Sequence, residues 1–253
     1  MIHLKSQEEI EKIRASCRIA AEAMELVMGK VGAGVSTGSL DELADTYIRS
    51  RNAVPSAKGY RGYPRSICIS INEVVVHGIP GERVIQEGDV LSVDIAVEKD
   101  GFHGDMNVSF AIGDITPEAR RLFDTTLESL NIGIEASRCD NRVGDIGYVI
   151  QQYVEGEGFS IVREFCGHGI GRSFHEEPQV LHFGTPRTGR RLEPGLVFTI
   201  EPMVNEGVSE VRVLDDDWTA VTEDGKLSMQ FEHTVAVTEN GPDVLSRFDD
   251  LPF

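Results

Sequence analysis

Four carboxylates in this sequence stand in runs whose apolar character should exclude a charge. In VLSVDIAVE (residues 90–98), Leu91, Val93, Ile95 and Val97 alternate with Ser92, Asp94 and Ala96, so Asp94 shares a strand face with small residues. After a turn at 99–101, HGDMNVSF sets Asp105 beside His103 and Asn107, opposite Gly104, Met106, Val108 and Phe110. Two aspartates on adjoining strands of one hairpin can converge on a point. LVFTIEPM then brings Glu201 to the end of an alternating run, where Pro202 removes a ladder donor and fits a strand end or bulge. QFEHTVAV sets Glu232 with Gln230 and Thr234, opposite Phe231, His233, Val235 and Val237.

A single pair of aspartates reads more readily as exposed edge or turn residues. Four uncompensated buried charges would be very costly, and cations at their centre remove that cost. Imidazoles are at hand in FCGHGIGRSFHEEP: His168 stands between Gly167 and Gly169, where small neighbours let a metal or substrate come close, and His175 follows it. A third, His77, ends CISINEVVVHGIP. Taken alone, each histidine is as well explained by exposure or by a satisfied place in the core. Four carboxylates and an imidazole, without thiolate, suit two hard-to-borderline divalent ions (Co, Mn, Fe(II) or Zn) rather than a structural zinc. Two such ions ~3.5–4 Å apart would make water ionisable near neutral pH, which is hydrolytic chemistry.

The elements that must position these groups come twice. Ser6 and Glu9 form a capping box ahead of Ile10, Ile13, Cys17, Ala20, Met24 and Val27 at helical spacing. A Gly-rich turn at 31–34 ends that helix, and a second begins at Ser36–Thr37 and carries Leu40, Leu43, Ala44, Tyr47 and Ile48. Thr116 and Pro117 open a third, with Leu122, Phe123, Thr126, Leu127 and Leu130. A turn at 139–141 leads to a fourth, with Val143, Ile146, Ile150 and Tyr153. Strand-like runs follow each helix pair, at 67–76 and 90–97, then at 160–162, 196–200 and 231–237. Two helices followed by strands, repeated, predict an α+β fold in a single domain over 1–253, with pseudo-repeat lobes of about 1–115 and 116–253.

Composition narrows the partners. The chain has 253 residues, 40% hydrophobic and 26% charged, which is ordinary for a globular protein. A net charge of −18 repels phosphate backbones and anionic lipid, so neither nucleic acid nor membrane is expected as a partner. The first thirty residues offer no continuous apolar run, so no secretory leader is expected. Cys17, Cys68, Cys139 and Cys166 are widely spaced, which fits a reducing cytoplasm better than a disulfide framework.

In order and spacing over nearly the whole chain, CISINEVVVHGIP, VDIAVEKDGFHGD, FCGHGIGRSFHEEP, TIEPM and QFEHT resemble the type I methionine aminopeptidases of bacterial form. The resemblance implies the pita-bread (creatinase/aminopeptidase) fold, two pseudo-twofold lobes of helices over a curved antiparallel sheet. It implies two divalent metal ions on Asp94, Asp105, His168, Glu201 and Glu232, with Asp105 and Glu232 bridging. His175 would polarise the scissile carbonyl, His77 would contact the amide nitrogen, and Glu201 would also move a proton. An apolar slot for methionine would use Tyr60, Tyr63, Cys68, Phe174 and Trp218, which without the resemblance read as core aromatics. The implied reaction is removal of the initiator methionine from nascent polypeptides whose second residue is small, in the cytoplasm, by a monomer. Transient ribosome contact stays open, since no basic docking tail is evident. Two positions depart from the common pattern: Ala57 replaces a frequent cysteine, and Phe231 replaces a tyrosine. The prolidase and aminopeptidase P branch shares the five ligands, but its last glutamate tends to follow an arginine, and Gln230 and Phe231 precede Glu232 here.

Overall fold

A computed structural model describes residues 2–247. Its helices are α1 (Gln7–Met28), α2 (Thr37–Ser50), α3 (Pro117–Ala136) and α4 (Val143–Gly156). The first half supplies strands β1 (Val54–Pro55), β2 (Cys68–Ile71), β3 (Val74–Val76), β4 (Val90–Lys99) and β5 (Phe102–Ala111). The second half supplies β6 (Ser160–Ile161), β7 (Gly167–Gly169), β8 (Glu176–Val180), β9 (Val197–Ile200), β10 (Met203–Asn205), β11 (Val211–Val213), β12 (Ala220–Thr222), β13 (Ser228–Gln230), β14 (Glu232–Thr238) and β15 (Gly241–Val244).

The helices start where local chemistry dictates. Ser6 Oγ accepts the Glu9 N–H at 3.3 Å and Glu9 Oε2 accepts the Ser6 N–H at 3.1 Å, so the capping box ahead of α1 closes in both directions. Thr116 accepts the Ala119 N–H at 3.1 Å, with Pro117 as the first residue of α3. The stripe Ile10, Ile13, Cys17, Ala20, Met24, Val27 is buried as its spacing requires, and α1 packs on β4 and β5. Along α4 the last buried residue is Val154, one helical turn beyond Ile150, while Tyr153 lies half-buried beside it.

A nine-stranded sheet runs β1-β4-β5-β14-β9-β7-β8, with β2 also on β4 and β15 also on β14. First-half and second-half strands meet where β5 pairs antiparallel with β14, Glu232 opposite Asn107 and His233 opposite Met106. In the β4–β5 hairpin Asp94 faces Asn107 and Ala96 faces Asp105, so the two aspartates are diagonal neighbours on one face. One apolar core extends across both halves, from Met24 and Ile48 through Ile95 and Met106 to Phe198 and Phe231.

Two strand-like runs of the sequence divide between sheets. The run 67–76 breaks at Asn72, whose φ of 56° turns the chain; β2 stays in the large sheet and β3 pairs with β12. Similarly, β13 pairs with β10 in a small sheet, and after Phe231 the chain enters the large sheet as β14. Among the described residues no helix is long and apolar enough to cross a membrane.

Candidate active site

Between the pairs Ile200–His233 and Met203–Gln230 the β9/β10 and β13/β14 segments leave one sheet and join another, and Glu201 and Glu232 lie in that break. From the hairpin side come Asp94 and Asp105, and from β7 comes His168. Candidate ligand atoms of Asp105, His168 and Glu232 all lie within 4.8 Å of one another. His168 Nε2 is 3.8 Å from Asp105 Oδ2 and 3.8 Å from Glu201 Oε1. All five line one cavity of about 800 Å³.

Burial makes this cluster unstable as bare charge. It raises the Asp94 carboxyl to about 7 and the Glu201 carboxyl to about 8, the latter also through repulsion from Asp94. Burial, and then repulsion from the neighbouring carboxylates, pushes Asp105 and Glu232 well above the usual range. Asp105 Oδ1 and Glu232 Oε1 are buried without a hydrogen-bond partner among the described residues. His168 Nδ1 lies 3.0 Å from the Gly169 carbonyl, which fixes the proton on that nitrogen and leaves the Nε2 lone pair facing the carboxylates. Burial lowers His168 to about 4, keeping the ring neutral. Oxygen donors, a neutral imidazole and orphaned carboxylate oxygens together fit a divalent cation.

Glu201 is held from three sides. Its Oε1 accepts from Thr199 Oγ1 at 2.7 Å, and that hydroxyl accepts the His168 N–H at 3.0 Å. Its Oε2 accepts from Gln230 Nε2 at 3.2 Å, and Gln230 Oε1 accepts from Asn107 Nδ2 at 3.0 Å. Its backbone N–H donates to His182 Nε2 at 3.1 Å. Residue types alone did not single out Thr199, Gln230, Asn107 or His182; the alternation that put Thr199 on the face of Glu201, and Gln230 on that of Glu232, was the available signal.

His77, His175, Tyr60, Tyr63, Cys68, Phe174 and Trp218 line the same cavity, and so does Ala57. His77 has φ +60°, a strained backbone of the sort that collects at functional sites. Its ring meets Phe165 and Trp218 edge-on at 5.4 and 5.9 Å. Burial lowers it to about 4. His175 stacks on Tyr60 at 5.0 Å and lies 4.1 Å from the His168 ring. Desolvation, then repulsion from His168 and Arg61, keeps it neutral with a pKa of about 3. Tyr63 meets Trp218 edge-on at 5.1 Å, and its hydroxyl is taken up by the Ile67 and Gly78 carbonyls. Phe165 was not anticipated, because an aromatic in a loop carries no sequence signal of its own.

The glycines around His168 also answer a packing demand. A Cβ at Gly167 would stand 2.4 Å from the Thr199 carbonyl oxygen, and one at Gly169 would stand 2.3 Å from that of Glu177. They let β7 lie close against its neighbours, which is how His168 reaches the carboxylates.

The sequence profile of Metallopeptidase family M24 matches residues 11–239. The chain belongs to this family. It is 50% identical over 252 residues to the methionine aminopeptidase of Escherichia coli (strain K12), across 98% of this chain and 96% of that one. The crystal structure of methionine aminopeptidase from Rickettsia prowazekii superposes with a TM-score of 0.96 at 40% identity, covering 98% of this chain and 100% of that one. A Xaa-Pro dipeptidase from Bacillus anthracis gives a TM-score of 0.80 at 21% identity over 98% of this chain and 63% of its own, a likeness of fold alone. The architecture is therefore the pita-bread fold, and the enzyme class is that of a metal-dependent peptidase.

Proposed function

We propose that this protein is a methionyl aminopeptidase that removes the initiator methionine from nascent polypeptides whose second residue is small. It works in the cytoplasm as a monomer, its partners being new polypeptide N-termini. One observation carries the reading: the buried cluster of four carboxylates and an imidazole shares a cavity with Tyr60, Tyr63, Cys68, Phe174 and Trp218. An apolar slot with aromatic and sulfur neighbours suits a thioether side chain. The limit to small second residues comes with the resemblance to the relatives.

Asp94, Asp105, His168, Glu201 and Glu232 would hold two divalent cations (Co, Mn, Fe(II) or Zn), which when bound supply Lewis acidity and lower the pKa of water. The free α-amino group would bind at or near a metal beside these ligands, which would confine cleavage to chain ends. The aromatic walls exclude bulk water from the scissile bond. A neutral His175 still carries one N–H, which it donates to the carbonyl oxygen as negative charge develops there. As water adds to the carbonyl carbon, Glu201 takes up its proton and returns it to the departing nitrogen when the C–N bond breaks. His77 would hydrogen-bond that nitrogen.

The test is peptide cleavage by protein loaded with each metal in turn. Methionine release from Met-Ala-Ser, and none from its N-acetylated form, is expected. Hydrolysis of an Xaa-Pro dipeptide with Met-Ala-Ser left intact would instead put the chain with the prolidases.

A further inference from the structure

His175 makes no hydrogen bond through its ring among the described residues; it is oriented by stacking on Tyr60 and by the backbone that carries it. That backbone, the segment 170–175 between β7 and β8, is organised around one carboxylate, that of Glu176 at the start of β8. Glu176 Oε1 accepts the Ser173 N–H at 3.0 Å, and Glu176 Oε2 accepts from Lys5 Nζ at 2.6 Å. Against the burial that would raise it, the Lys5 ammonium and the Ser173 N–H hold the Glu176 carboxyl below its ordinary value. Lys5 lies just ahead of α1, with its side chain only 3% exposed. A second hydrogen bond from its ammonium goes to the His3 carbonyl at 3.1 Å, and its backbone N–H donates to the Gly195 carbonyl at 2.6 Å.

Glycine makes room for this pair. A Cβ at Gly171 would stand 2.5 Å from Lys5 Cε and 2.9 Å from Glu176 Oε1, so the lysine stem lies directly over the Gly171 backbone. The Gly171 carbonyl accepts the His103 N–H at 2.7 Å, which fixes the far side of the turn to β5. A second strap, Arg172 to Glu9 at 3.3 Å, has an arginine 64% exposed. An exposed pair of that kind holds little. Breaking the buried pair leaves an uncompensated charge, so Lys5 is the strap that matters.

We propose that Lys5, through its buried ion pair with Glu176, is a positioning residue that holds Phe174 and His175 against the scissile bond. The proposal rests on the reading of His175 given above. Lys5 touches neither substrate nor metal ligand; it acts through Glu176 on the loop. A misplacement on the order of 1 Å can cost about 10²-fold in rate, so a loosened loop should show in kcat while the metal cluster stays intact.

The experiment compares Lys5→Met, Glu176→Gln, His175→Ala and the Lys5→Met/His175→Ala double variant, each with metal content, melting temperature, kcat and KM on Met-Ala-Ser. His175→Ala should lose roughly 100-fold in kcat, and Lys5→Met should lose roughly tenfold or more with full metal content. In the His175→Ala background Lys5→Met should add nothing further to the loss in kcat. Glu176→Gln is isosteric and keeps an acceptor for Ser173, so it should fold and slow kcat even if Lys5→Met does not accumulate. A lower melting temperature with wild-type kcat in both strap variants would overturn the proposal while leaving His175 in its role. So would a full multiplicative loss in the double variant. Wild-type kcat in His175→Ala would remove His175 from the reaction, and the strap's purpose with it.

Discussion

The hydroxyl of Thr199 sits between two members of the cavity cluster, accepting the His168 backbone N–H at 3.0 Å and donating to Glu201 Oε1 at 2.7 Å. Because it accepts from one and donates to the other, its rotor is fixed, and with it the carboxylate plane of Glu201. Thr199 is fully buried, so Thr199→Val keeps the shape and removes both bonds. The orphaned His168 N–H should cost about 1–3 kcal/mol of stability. The loss of an outer-shell partner should weaken metal binding by roughly 10–100-fold. Urea denaturation and a metal titration measure the two effects separately; unchanged metal affinity would show that Gln230 and His182 hold Glu201 without help. The four carboxylates of the cluster were legible because a carboxylate in an alternating apolar run is anomalous on sight, whereas His168 stood out only through the resemblance. Thr199, Gln230 and Asn107 were not legible, because a neutral polar residue in a strand is ordinary. Their partners depend on cross-strand register, which one sequence does not specify.

At the scale of elements, the starts of the first three helices were readable to within a residue because their caps are local chemistry: Ser6 with Glu9, Ser36 ahead of Thr37, Thr116 with Pro117. The strands were readable as runs but not as sheets. Nothing local marks the passage from β13 to β14 at Phe231, and it is this change of sheet that exposes Glu232 to the cavity. The segment bringing Tyr60 and Tyr63 to the site was also opaque. It is pinned to α2 by Asp45, which accepts from Ser66 Oγ at 2.6 Å, Lys58 Nζ at 3.2 Å and Arg49 Nε at 2.8 Å. Against the burial that would raise it, bonds from Arg49, Ser66 and Lys58 hold Asp45 down from 3.8 to about 2. A depressed carboxyl stabilises the folded state fully above its unfolded pKa of 3.8, and that contribution is lost as pH falls through about 2. Asp45→Asn should therefore be less stable than wild type at neutral pH, with the difference closing between pH 3.8 and about 2. Urea midpoints of the two proteins across that window test it, and a constant gap would mean that Asp45 contributes no pH-dependent stability.

Over the whole molecule the net charge is −18, and the most expensive part of it is concentrated at one point where both halves of the sheet meet. Solvent and counterions screen the surface carboxylates, but Asp105 and Glu232 are buried, Asp94 and Glu201 lie partly buried beside them, and the four repel one another. Without cations the folded state must protonate these groups or tolerate their repulsion, while the unfolded chain does neither. Divalent ions that bound the folded cluster and not the dispersed side chains would stabilise the fold by mass action, about 2.7 kcal/mol at a hundredfold excess over Kd. For a chain of this size that corresponds to a rise of roughly 5–10 °C in melting temperature. Asp105→Asn separates the two contributions: it removes one source of repulsion and one ligand, so it should melt higher than wild type when both are chelated and gain little on reloading. Calorimetry of the chelated and reloaded pairs decides it. Superimposable wild-type curves would mean that the carboxylates do not gather around metal, and a chelated Asp105→Asn melting below chelated wild type would mean that repulsion is not what burdens the empty site.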